Sequence, residues 1–384
     1  MARKTQNARN SQKQDSRKIR YAVVGLGHIA QVAMLPAFEH AENSQLVALV
    51  SDDEKKLSEL SKSHGVEKTF SYAAFDECLA TGVDAVYIAV PNHLHKEYAV
   101  RTARAGVHVL CEKPMAVNEA ECREMMDAAE QGKVKLMIAY RLHFEKGNLE
   151  AIKIAQSGTL GEVRYLTSEF SQETAEGNIR VIYPPEQGGG PVFDMGVYCI
   201  NAARYLLGDE PIEVLAMSAS RQQERFSKSE EMTSVILRFP HNRLANITCS
   251  FGAADIARCT LAGDKGTLTL DPAYEYAGPI KHQLVIDGKK KQRTFAKRDQ
   301  FAAELVYFSD CVLKDKEPEP SGLEGLADVR IVNAIYESLR IGAAVHLEPI
   351  AAKPRPSLAQ EIYRPPVNTP PRPVDAASPE GEAA

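Results

Sequence analysis

Hydrophobic residues in the first third of the chain are grouped into short, continuous runs. The runs are IRYAVVG, QLVALVS, VDAVYIAV, VHVLC and VKLMIA, and the last of them ends near Ala139. Segments with a helix-like mixture of polar and apolar positions separate these runs, at residues 53–64, 93–105 and 118–131. Buried strands that alternate with helices predict an α/β unit, in which a parallel sheet carries helices on both faces.

The pattern changes after about residue 160, where the strand candidates become longer and alternate more between apolar and polar positions. They are EVRYLTSEFSQ, IEVLAMSAS, TSVILRF, LANITCSF, ARCTLAG and TLTLDP, and the turn signals PHNR, GDKG and DGKK lie between strand candidates. This alternation predicts a mostly antiparallel, open-faced sheet with one covered face. Two later helices are predicted at residues 299–314 and 325–340.

These changes divide the chain into four predicted parts. A basic, polar leader occupies residues 1–18, and the first α/β unit occupies residues 19–140. A second α/β domain with the open-faced sheet follows at residues 141–348, and a proline-rich tail at residues 349–384. The compositions of the two ends are typical of disordered or extended chain.

Composition places the chain among soluble globular proteins and narrows its partners. Of its 384 residues 44% are hydrophobic and 25% are charged, and the net charge is −5. A negative chain does not attract nucleic acid, and no apolar stretch is long enough for a membrane span. Because the leader lacks the apolar centre of a signal peptide, we expect a cytoplasmic protein. Seven cysteines without a CxxC pair or zinc-like spacing predict buried thiols and no metal site.

The first apolar run ends in a glycine-rich turn of the form GxGxxA. Gly25 permits the tight turn, Gly27 lets the backbone approach a pyrophosphate at the helix N-terminus, and the small Ala30 allows close helix–strand packing. His28 and Ile29 complete the turn and are candidate cofactor contacts. Because the motif follows a strand and opens a helix, it predicts a dinucleotide-binding Rossmann domain.

The choice between NADP and NAD depends on the residues that follow the second run. NAD enzymes commonly carry an acidic residue there, which binds the 2′-hydroxyl of the adenosine ribose. Ser51 stands at this position, and serine does not repel a 2′-phosphate, which Lys56 could also reach. NADP is therefore favoured over NAD, unless Asp52 or Asp53 turns inward.

Three candidate residues follow the run VDAVYIAV, at the strand end where ligands bind in such sheets. Pro91 can direct the loop, and Asn92 can hydrogen-bond the ribose or phosphates of a nucleotide. His95 has two open interpretations, a structural role at a helix start and a functional role in the site.

The run VHVLC ends abruptly in a charged pair and a proline, Glu112, Lys113 and Pro114. Because this strand ends at the same edge of the sheet, we expect Glu112 and Lys113 to lie beside the nicotinamide. Pro114 stops the strand and fixes the direction of the backbone. An ammonium group at this place can hydrogen-bond a substrate hydroxyl and stabilise developing alkoxide character.

A further group of polar residues lies in the segment GGGPVFDMGVYCINAARYLLG, residues 188–208, whose Pro191 fits a helix start. Asp194, Tyr198 and Asn201 are spaced i, i+4 and i+7, which predicts that they share one face of a helix. Such a polar stripe on an apolar helix indicates either a functional site or a buried hydrogen-bond network.

Together, these segments resemble the glucose–fructose oxidoreductase/inositol dehydrogenase/MocA (Gfo/Idh/MocA) family, and most closely its glucose–fructose oxidoreductase group. The segments are AVVGLGHIA, AVPNHLH, CEKPMAV, AYRLHFEKGN and GGGPVFDMGVYCINAARYLLG, and they occur in family order. The resemblance extends from about Arg20 to about Leu347. It implies a Rossmann domain followed by an α/β domain with an open-faced, mostly antiparallel sheet.

The resemblance also implies roles for individual residues. In the family, the lysine of the EKP motif contacts both cofactor and substrate, and this residue is Lys113 here. The aspartate of the DxGxY/H motif is Asp194, and the family's acid/base residue is Tyr198. Tyr140 and Arg141 match a strand-end YR pair and are implied to line the cleft. The expected substrate-binding residues are therefore Lys113, Tyr140, Asp194, Tyr198 and Asn201, with Arg141 among the cofactor contacts.

The hypothesis that follows is a sugar oxidoreductase that transfers hydride between C1 of an aldose and nicotinamide, which converts the aldose to a lactone. Tyr198 accepts the hydroxyl proton, Lys113 favours its phenolate form, and Asp194 orients the sugar or Lys113. The first alternative is a dehydrogenase or reductase with a dissociable cofactor, acting on another polyol, ketose, xylose or dihydrodiol. A non-catalytic, nucleotide-sensing regulator is the alternative from another class.

Two further expectations concern cofactor retention and assembly. A second sugar could recycle a cofactor that stays bound, and this requires contacts beyond the pyrophosphate and ribose. Either tail could supply them by folding over the adenosine, and the basic leader is favoured because it enters the first strand near the nucleotide. The open face of the antiparallel sheet predicts a homodimer or homotetramer, because apolar side chains on that face would otherwise remain wet.

Overall fold

The N-terminal part of the protein is built around a six-stranded parallel sheet. A computed structural model describes residues 17–348, 350, 356–368 and 371–378. The strands of this sheet are β1 (Ile19–Val24), β2 (Ser44–Val50), β3 (Lys68–Phe70), β4 (Ala85–Ile88), β5 (His108–Glu112) and β6 (Leu136–Ala139). Their order is β3-β2-β1-β4-β5-β6. The chain changes direction across the sheet between β1 and β4, and this switch point creates the ligand crevice of a Rossmann fold.

Helices connect these strands and cover the sheet. A π-helical turn, Ala30–Met34, runs into the short α1 (Leu35–Ala37). It is followed by α2 (Glu54–His64), α3 (Phe75–Ala80), α4 (His95–Arg104) and α5 (Glu119–Gly132). The three helices predicted from the sequence are α2, α4 and α5. The carboxylate of Asp53 and the amide of Asn118 accept backbone N–H groups at the starts of α2 and α5, which explains where these helices begin.

The second domain contains a nine-stranded mixed sheet. Its strands are β7 (Val163–Glu173), β8 (Glu213–Ala219), β9 (Met232–Phe239), β10 (Arg243–Ser250), β11 (Gly252–Gly263), β12 (Gly266–Leu270), β13 (Ile280–Ile286), β14 (Lys289–Phe295) and β15 (Val345–His346). The order is β14-β13-β12-β11-β7-β10-β9-β8-β15, and β7 with β10 is its parallel pair. The prediction of a mostly antiparallel sheet is confirmed.

The predicted hairpin turns connect neighbouring antiparallel strands. PHNR joins β9 to β10, GDKG joins β11 to β12, and DGKK joins β13 to β14. In the last of these, Asp287 and Gly288 both have positive φ values, 49° and 73°. Positive φ at both central residues is typical of the tight turns whose twist matches a two-stranded hairpin.

One face of the second sheet is covered and the other is open. The helices α6 (Lys146–Gln156) and α8 (Val197–Leu207) pack their apolar residues on the covered face, and the single-turn α7 (Ile179–Ile182) lies in a loop. Along β9 the residues alternate between buried and exposed, as a strand with one wet face requires. The open face carries large exposed hydrophobic side chains, namely Tyr165, Leu215, Met217, Ile236 and Leu244.

Two late helices confirm the prediction for the end of the second domain, but they pack on the first domain as well. In α9 (Gln300–Leu313), Phe301 and Phe308 share a core with β1. In α10 (Gly322–Ile341), Leu326 belongs to the Rossmann core, whereas Ile335 belongs to the core of the second domain. The division at residue 140 therefore separates the two sheets but not the helices that cover them.

The proline-rich tail runs back over the Rossmann domain. Its Glu361 forms ion pairs with Arg298 at 2.6 Å and Lys146 at 3.3 Å. The side chains of Ile362 and Val374 pack against the Rossmann core. The described part of the tail contains one 3-10 helical turn, Leu358–Gln360, and adds to the packing. Residues 1–16 of the basic leader lie outside the described residues.

Candidate active site

The glycine-rich turn has the geometry that its motif predicts. Gly25 has a φ of 90°, and a Cβ at this position would lie 2.5 Å from the carbonyl oxygen of Ala89. A side chain is therefore excluded there by both conformation and space. A Cβ on Gly27 would meet no atom within 4 Å, so the backbone at Gly27 faces open space. The turn fits a pyrophosphate, which needs close approach to backbone N–H groups at a helix start.

A cleft of about 960 Å³ extends from this turn toward the second sheet. Its volume is within the range of small-molecule and cofactor sites. The structure brings the candidate residues from both domains together in its wall, and they are Gly25, Gly27, His28, Ile29, Ser51, Lys56, Pro91, Asn92, His95, Glu112, Lys113, Arg141, Asp194 and Tyr198.

The two acidic residues after β2 form hydrogen bonds within the protein. The carboxylate of Asp53 accepts the backbone N–H of Lys56, and that of Asp52 accepts the backbone N–H of Tyr72 at 2.8 Å. Ser51 and Lys56, in contrast, line the cleft. A hydroxyl and an ammonium group thus face the place where an adenosine ribose binds in this fold, and this pair fits a 2′-phosphate.

Asn92 connects the two walls of the cleft. Its side-chain amide donates a hydrogen bond of 2.7 Å to the carbonyl oxygen of Gly188, in the loop before the predicted catalytic helix. Pro91 precedes it in an extended conformation and directs the chain into the cleft. The two residues therefore position the nucleotide side of the cleft against the second domain.

The structure favours the structural interpretation of His95. Its side chain is 1% exposed, and its ring nitrogens lie 2.8 Å and 3.0 Å from the carbonyl oxygens of Pro114 and Val90. Burial lowers the pKa of His95 to about 4, although the two carbonyl oxygens act in the opposite direction. The ring thus holds the ends of two strand loops together beneath the cleft.

Lys113 and Asp194 form an ion pair at the centre of the cleft. The Lys113 ammonium, at the end of β5, donates to the Asp194 carboxylate at 3.2 Å and to its backbone carbonyl at 3.0 Å. The other carboxylate oxygen lies 3.2 Å from the guanidinium of Arg180. Burial alone would raise the pKa of Asp194, but the charges of Arg180 and Lys113 outweigh it and hold the pKa below its usual value.

The phenol of Tyr198 lies between two cations. Its oxygen accepts a hydrogen bond of 3.2 Å from Nε of Arg141, and the Lys113 ammonium lies 4.6 Å from the centre of its ring. Arg141 is itself buried and donates to the backbone carbonyl of Tyr274 at 2.7 Å, which fixes its position. The Tyr198 hydroxyl is thus held by a buried cation in a cleft that also contains the Lys113–Asp194 ion pair.

The members of the polar stripe differ in whether they reach the cleft. Val192–Gly196 forms a wide π-helical turn directly before α8, and the wider turn changes the rotation of the residues around it. Asp194 and Tyr198 line the cleft, whereas Asn201 is buried behind it. The amide of Asn201 donates to Glu324 and Asp328, both at 2.9 Å.

Asn201 and Tyr140, the other two expected substrate contacts, do not line the large cleft but a small pocket beside Lys113 and Tyr198. Asn201 also lies 2.8 Å from His143, so its side chain is taken up by a buried hydrogen-bond network, the second interpretation of the stripe. Tyr140 is 5% exposed and its ring stacks on His143, with ring centres 5.5 Å apart. Both side chains are therefore buried behind the wall of the large cleft.

Glu112 lies under the cleft and is bonded to the protein. It accepts hydrogen bonds from the hydroxyl of Tyr87 and from the backbone N–H of Lys113. Burial raises the pKa of the Glu112 carboxyl, and the charge of Lys113 acts against this shift. Within the EKP motif, Lys113 rather than Glu112 is therefore the charged side chain that can contact a ligand.

Several residues in the cleft wall were not predicted. Arg180 and Tyr276 come from loops of the second domain, and no motif marks them. Asp375, Ala376 and Ala377 belong to the tail, whose proline-rich composition predicts an extended chain but not the surface that it covers. Only the three-dimensional arrangement reveals these contributions.

Three general predictions concern cysteines, metals and membranes. All seven cysteines are free and buried, as predicted. Among the described residues, no group of three or more His, Cys, Asp and Glu side chains is arranged to hold a metal ion. In the same part of the chain, no helix combines the length and the apolar character needed to cross a membrane.

The geometry of the cleft agrees with comparisons to known proteins. A family model described as an NAD-binding Rossmann fold of an oxidoreductase family matches residues 19–140, and the Gfo/Idh/MocA C-terminal domain matches residues 148–269. The crystal structure of aldose–aldose oxidoreductase from Caulobacter crescentus, in complex with glycerol, is similar with a TM-score of 0.82 and 37% identity. The match covers 86% of this chain and all of that one.

Curated relatives are similar over most of their length. D-xylose 1-dehydrogenase [NADP(+)] from Haloarcula marismortui is 29% identical over 340 residues, which cover 86% of this chain and 93% of that protein. Trans-1,2-dihydrobenzene-1,2-diol dehydrogenase from Bos taurus is 29% identical over 282 residues, which cover 71% and 79% respectively. Both domains are matched in sequence order, and together the matched ranges span more than half of the chain. The chain therefore belongs to the Gfo/Idh/MocA family of oxidoreductases.

Proposed function

We propose that the protein is an NADP-dependent oxidoreductase that oxidises an aldose at C1 to the corresponding lactone. The observation that carries this proposal is the position of the Tyr198 phenol between Lys113 and Arg141, in the cleft that begins at the glycine turn. The family is one of sugar and diol oxidoreductases, and an oxidoreductase needs a proton acceptor beside the carbon that it oxidises.

The chain's own residues account for proton transfer and positioning. The Tyr198 phenolate accepts the proton of the C1 hydroxyl while the bond between C1 and this oxygen becomes the lactone carbonyl. The Lys113 ammonium donates a hydrogen bond to the same oxygen and stabilises its developing negative charge. Asp194 orients Lys113 through the ion pair of 3.2 Å. NADP+, when bound, supplies the acceptor for the hydride that leaves C1.

Support for NADP comes from the site and from relatives. Ser51 and Lys56 line the cleft, whereas Asp52 and Asp53 do not. Asp52 accepts the backbone N–H of Tyr72, and Asp53 accepts that of Lys56 and lies 3.5 Å from the Lys56 ammonium group. The xylose dehydrogenase from Haloarcula marismortui is named as NADP-dependent. The Ser51 hydroxyl and the Lys56 ammonium group favour a 2′-phosphate, and the cleft-lining carboxylate of Asp375 is paired with Lys55 at 2.8 Å.

A cofactor that stays bound is the finer part of the proposal. An enzyme that reduces a second sugar with the same cofactor converts a pair of sugars without added nucleotide. The similarity to an aldose–aldose oxidoreductase, at 37% identity, supports this reaction cycle. In such a cycle Tyr198 returns its proton to the carbonyl oxygen of the second sugar, so the base is regenerated in each turn.

The test combines mass spectrometry with a sugar panel. The purified protein is denatured and its released nucleotide is identified, after which extensively dialysed protein is assayed with aldose pairs and aldose–ketose pairs. Bound NADP(H) and conversion without added cofactor are expected. Activity that appears only with added NADP, in proportion to its concentration, contradicts retention and leaves the lactone-forming reaction to be judged with single sugars.

An ordinary dehydrogenase with a dissociable cofactor is the second candidate. The names of the xylose and dihydrodiol dehydrogenases among the relatives favour it. It uses the same Lys113, Asp194 and Tyr198, and it differs in substrate and in cofactor release. Reduction of added NADP by D-xylose or a diol, with one equivalent of product per NADP, identifies this candidate. The complete set of catalytic residues argues against a regulator without activity.

We also propose that the protein forms a homodimer or homotetramer through its open face. Met217 is 78% exposed there, and Leu215 and Ile236 are each 43% exposed. Adjacent exposed hydrophobic residues on a flat sheet are typical of interaction surfaces. Size-exclusion chromatography with light scattering should give an oligomer for the wild type and a monomer for Met217→Glu combined with Ile236→Glu. An oligomeric double variant contradicts this assignment.

A further inference from the structure

The end of the described tail, residues 371–378, is fastened to the helix that follows the glycine turn. The side chain of Gln31 donates to the carbonyl oxygen of Val374 at 2.9 Å and accepts the backbone N–H of Val374 at 2.7 Å. The same amide group donates to the carbonyl oxygen of Leu26, inside the turn. Gln31 is 1% exposed, so this paired contact is shielded from water and holds the tail at a fixed distance from the turn.

A second contact fastens the tail to the other side of the nucleotide end. The carboxylate of Asp375 lies 2.8 Å from the ammonium group of Lys55, which follows Ser51 at the start of α2. Both side chains are about half exposed, so the ion pair contributes little stability. Its effect is to fix where the tail lies relative to α2. The segment thus bridges from the glycine turn to the loop after β2.

The tail lines the cleft without filling it. Asp375, Ala376 and Ala377 lie in the same wall as Gly27 and Lys56. In a Rossmann fold the glycine turn holds the pyrophosphate, and the end of the second strand holds the adenosine ribose. A segment with one contact beside each of these points therefore crosses the adenosine half of the cofactor.

The part of the tail before residue 371 is also fixed to the protein. The backbone N–H of Asp299 donates to the carbonyl oxygen of Arg364 at 3.2 Å, and the Lys297 ammonium donates to that of Val367 at 2.9 Å. With Glu361 paired to Arg298, the chain is held at several points before it reaches the cleft. Each fixed point reduces the entropy that the last segment loses when it closes over the cleft.

We propose that residues 371–378 form a strap that covers the adenosine half of the bound cofactor and slows its release. This inference rests on the proposed function, since it requires that the cleft binds NADP(H). It identifies the source of retention as the C-terminal segment, whereas the sequence favoured the basic leader. The nucleotide leaves only after the Gln31–Val374 and Lys55–Asp375 contacts open, so the strap acts on the dissociation rate.

The test measures NADPH release from full-length protein. The protein is loaded with NADPH, excess NADP+ is added as a competitor, and the decay of bound-NADPH fluorescence is recorded. Val374→Pro with Asp375→Lys removes the N–H donor to Gln31 and turns the ion pair into a repulsion. Pro371→Ala, an exposed change in the same segment, is the matched control.

We expect the double variant to release NADPH at least about tenfold faster than the wild type and the control, and Asp375→Ala alone to release it slightly faster. The sugar-pair reaction without added cofactor should be lost in the double variant and restored by NADP. Release at the wild-type rate, or more slowly, overturns the strap. A wild type that binds no NADPH refutes the proposed function instead.

A second measurement does not depend on the folding of a variant. Hydrogen–deuterium exchange of wild-type protein is compared with and without saturating NADPH. The strap predicts that the amides of residues 371–378 become protected when NADPH binds, because the segment closes on the ligand. Unchanged exchange of this segment, alongside protection of the glycine turn, contradicts the proposal while leaving nucleotide binding intact.

Discussion

Replacing Tyr198 by phenylalanine should remove catalysis and leave the fold and cofactor binding almost unchanged. The hydroxyl accepts one hydrogen bond, 3.2 Å from Nε of Arg141, and its loss costs about 1 kcal/mol of unfolding free energy at most. Arg141 keeps its hydrogen bonds to Tyr274 and Gln300, so it is not left without partners. The loss of a general base should lower turnover by about 10²–10⁴-fold, or roughly 3–5.5 kcal/mol in the barrier.

The assay separates chemistry from binding. NADPH formation in a single turnover is followed with an aldose carrying hydrogen or deuterium at C1, and NADP affinity is measured by titration. The Phe variant should bind NADP as the wild type does, with slow and isotope-sensitive hydride transfer. Tyr98→Phe, the same change at a buried tyrosine of α4 outside the cleft wall, is the control. A Tyr198→Phe protein with wild-type turnover would show that Tyr198 only packs against its neighbours.

Three other predictions concern charge, cofactor choice and pH. Lys113→Ala should lower turnover by at least about a hundredfold, the scale for a lost charge-stabilising group, and wild-type rates in folded protein would refute this role. Ser51→Asp should reverse the preference for NADP over NAD, measured as the ratio of kcat/KM values, because a carboxylate repels the 2′-phosphate. Burial lowers the pKa of His282 from 6.5 to about 4. As the pH falls, His282 is therefore protonated in the unfolded chain before it is protonated in the folded protein, and this favours unfolding. The unfolding free energy should drop by about 2 kcal/mol between pH 7 and pH 5, and urea titrations should show a smaller drop for His282→Gln.

The sequence was sufficient where local chemistry determines the structure. Gly25 is required by its φ and by the closeness of Ala89, so the motif predicted both the turn and its place in the fold. The hairpin at Asp287 was also readable, because its turn residues specify the conformation. The strand β3 was missed because three residues, two of them exposed, carry no apolar periodicity.

The candidate site was predictable as a set of motifs but not in its details. Lys113 was placed in the cleft because strand ends in a parallel sheet meet at the same edge, and Tyr198 was placed there by the resemblance to the family. Asn201 was placed there too, but it lies further along α8, where Glu324 and Asp328 of α10 take up its amide, and helical spacing does not reveal that packing. Arg180 and the tail residue Asp375 arrive from segments distant in sequence, and their positions depend on packing that no local pattern encodes.

The helix α10 has a consequence for the evolution and engineering of this protein. At its start, a Cβ on Gly325 would lie 2.8 Å from the Cβ of Met115 in the Rossmann domain, while later residues such as Ile335 complete the core of the other domain. In a chimera that takes its second domain from another protein at residue 140, α10 would come from that protein. It would then fit the core of the new second domain but not the Rossmann core. New substrate preferences are better introduced by grafting loops, such as the one that carries Arg180, onto an intact pair of domains.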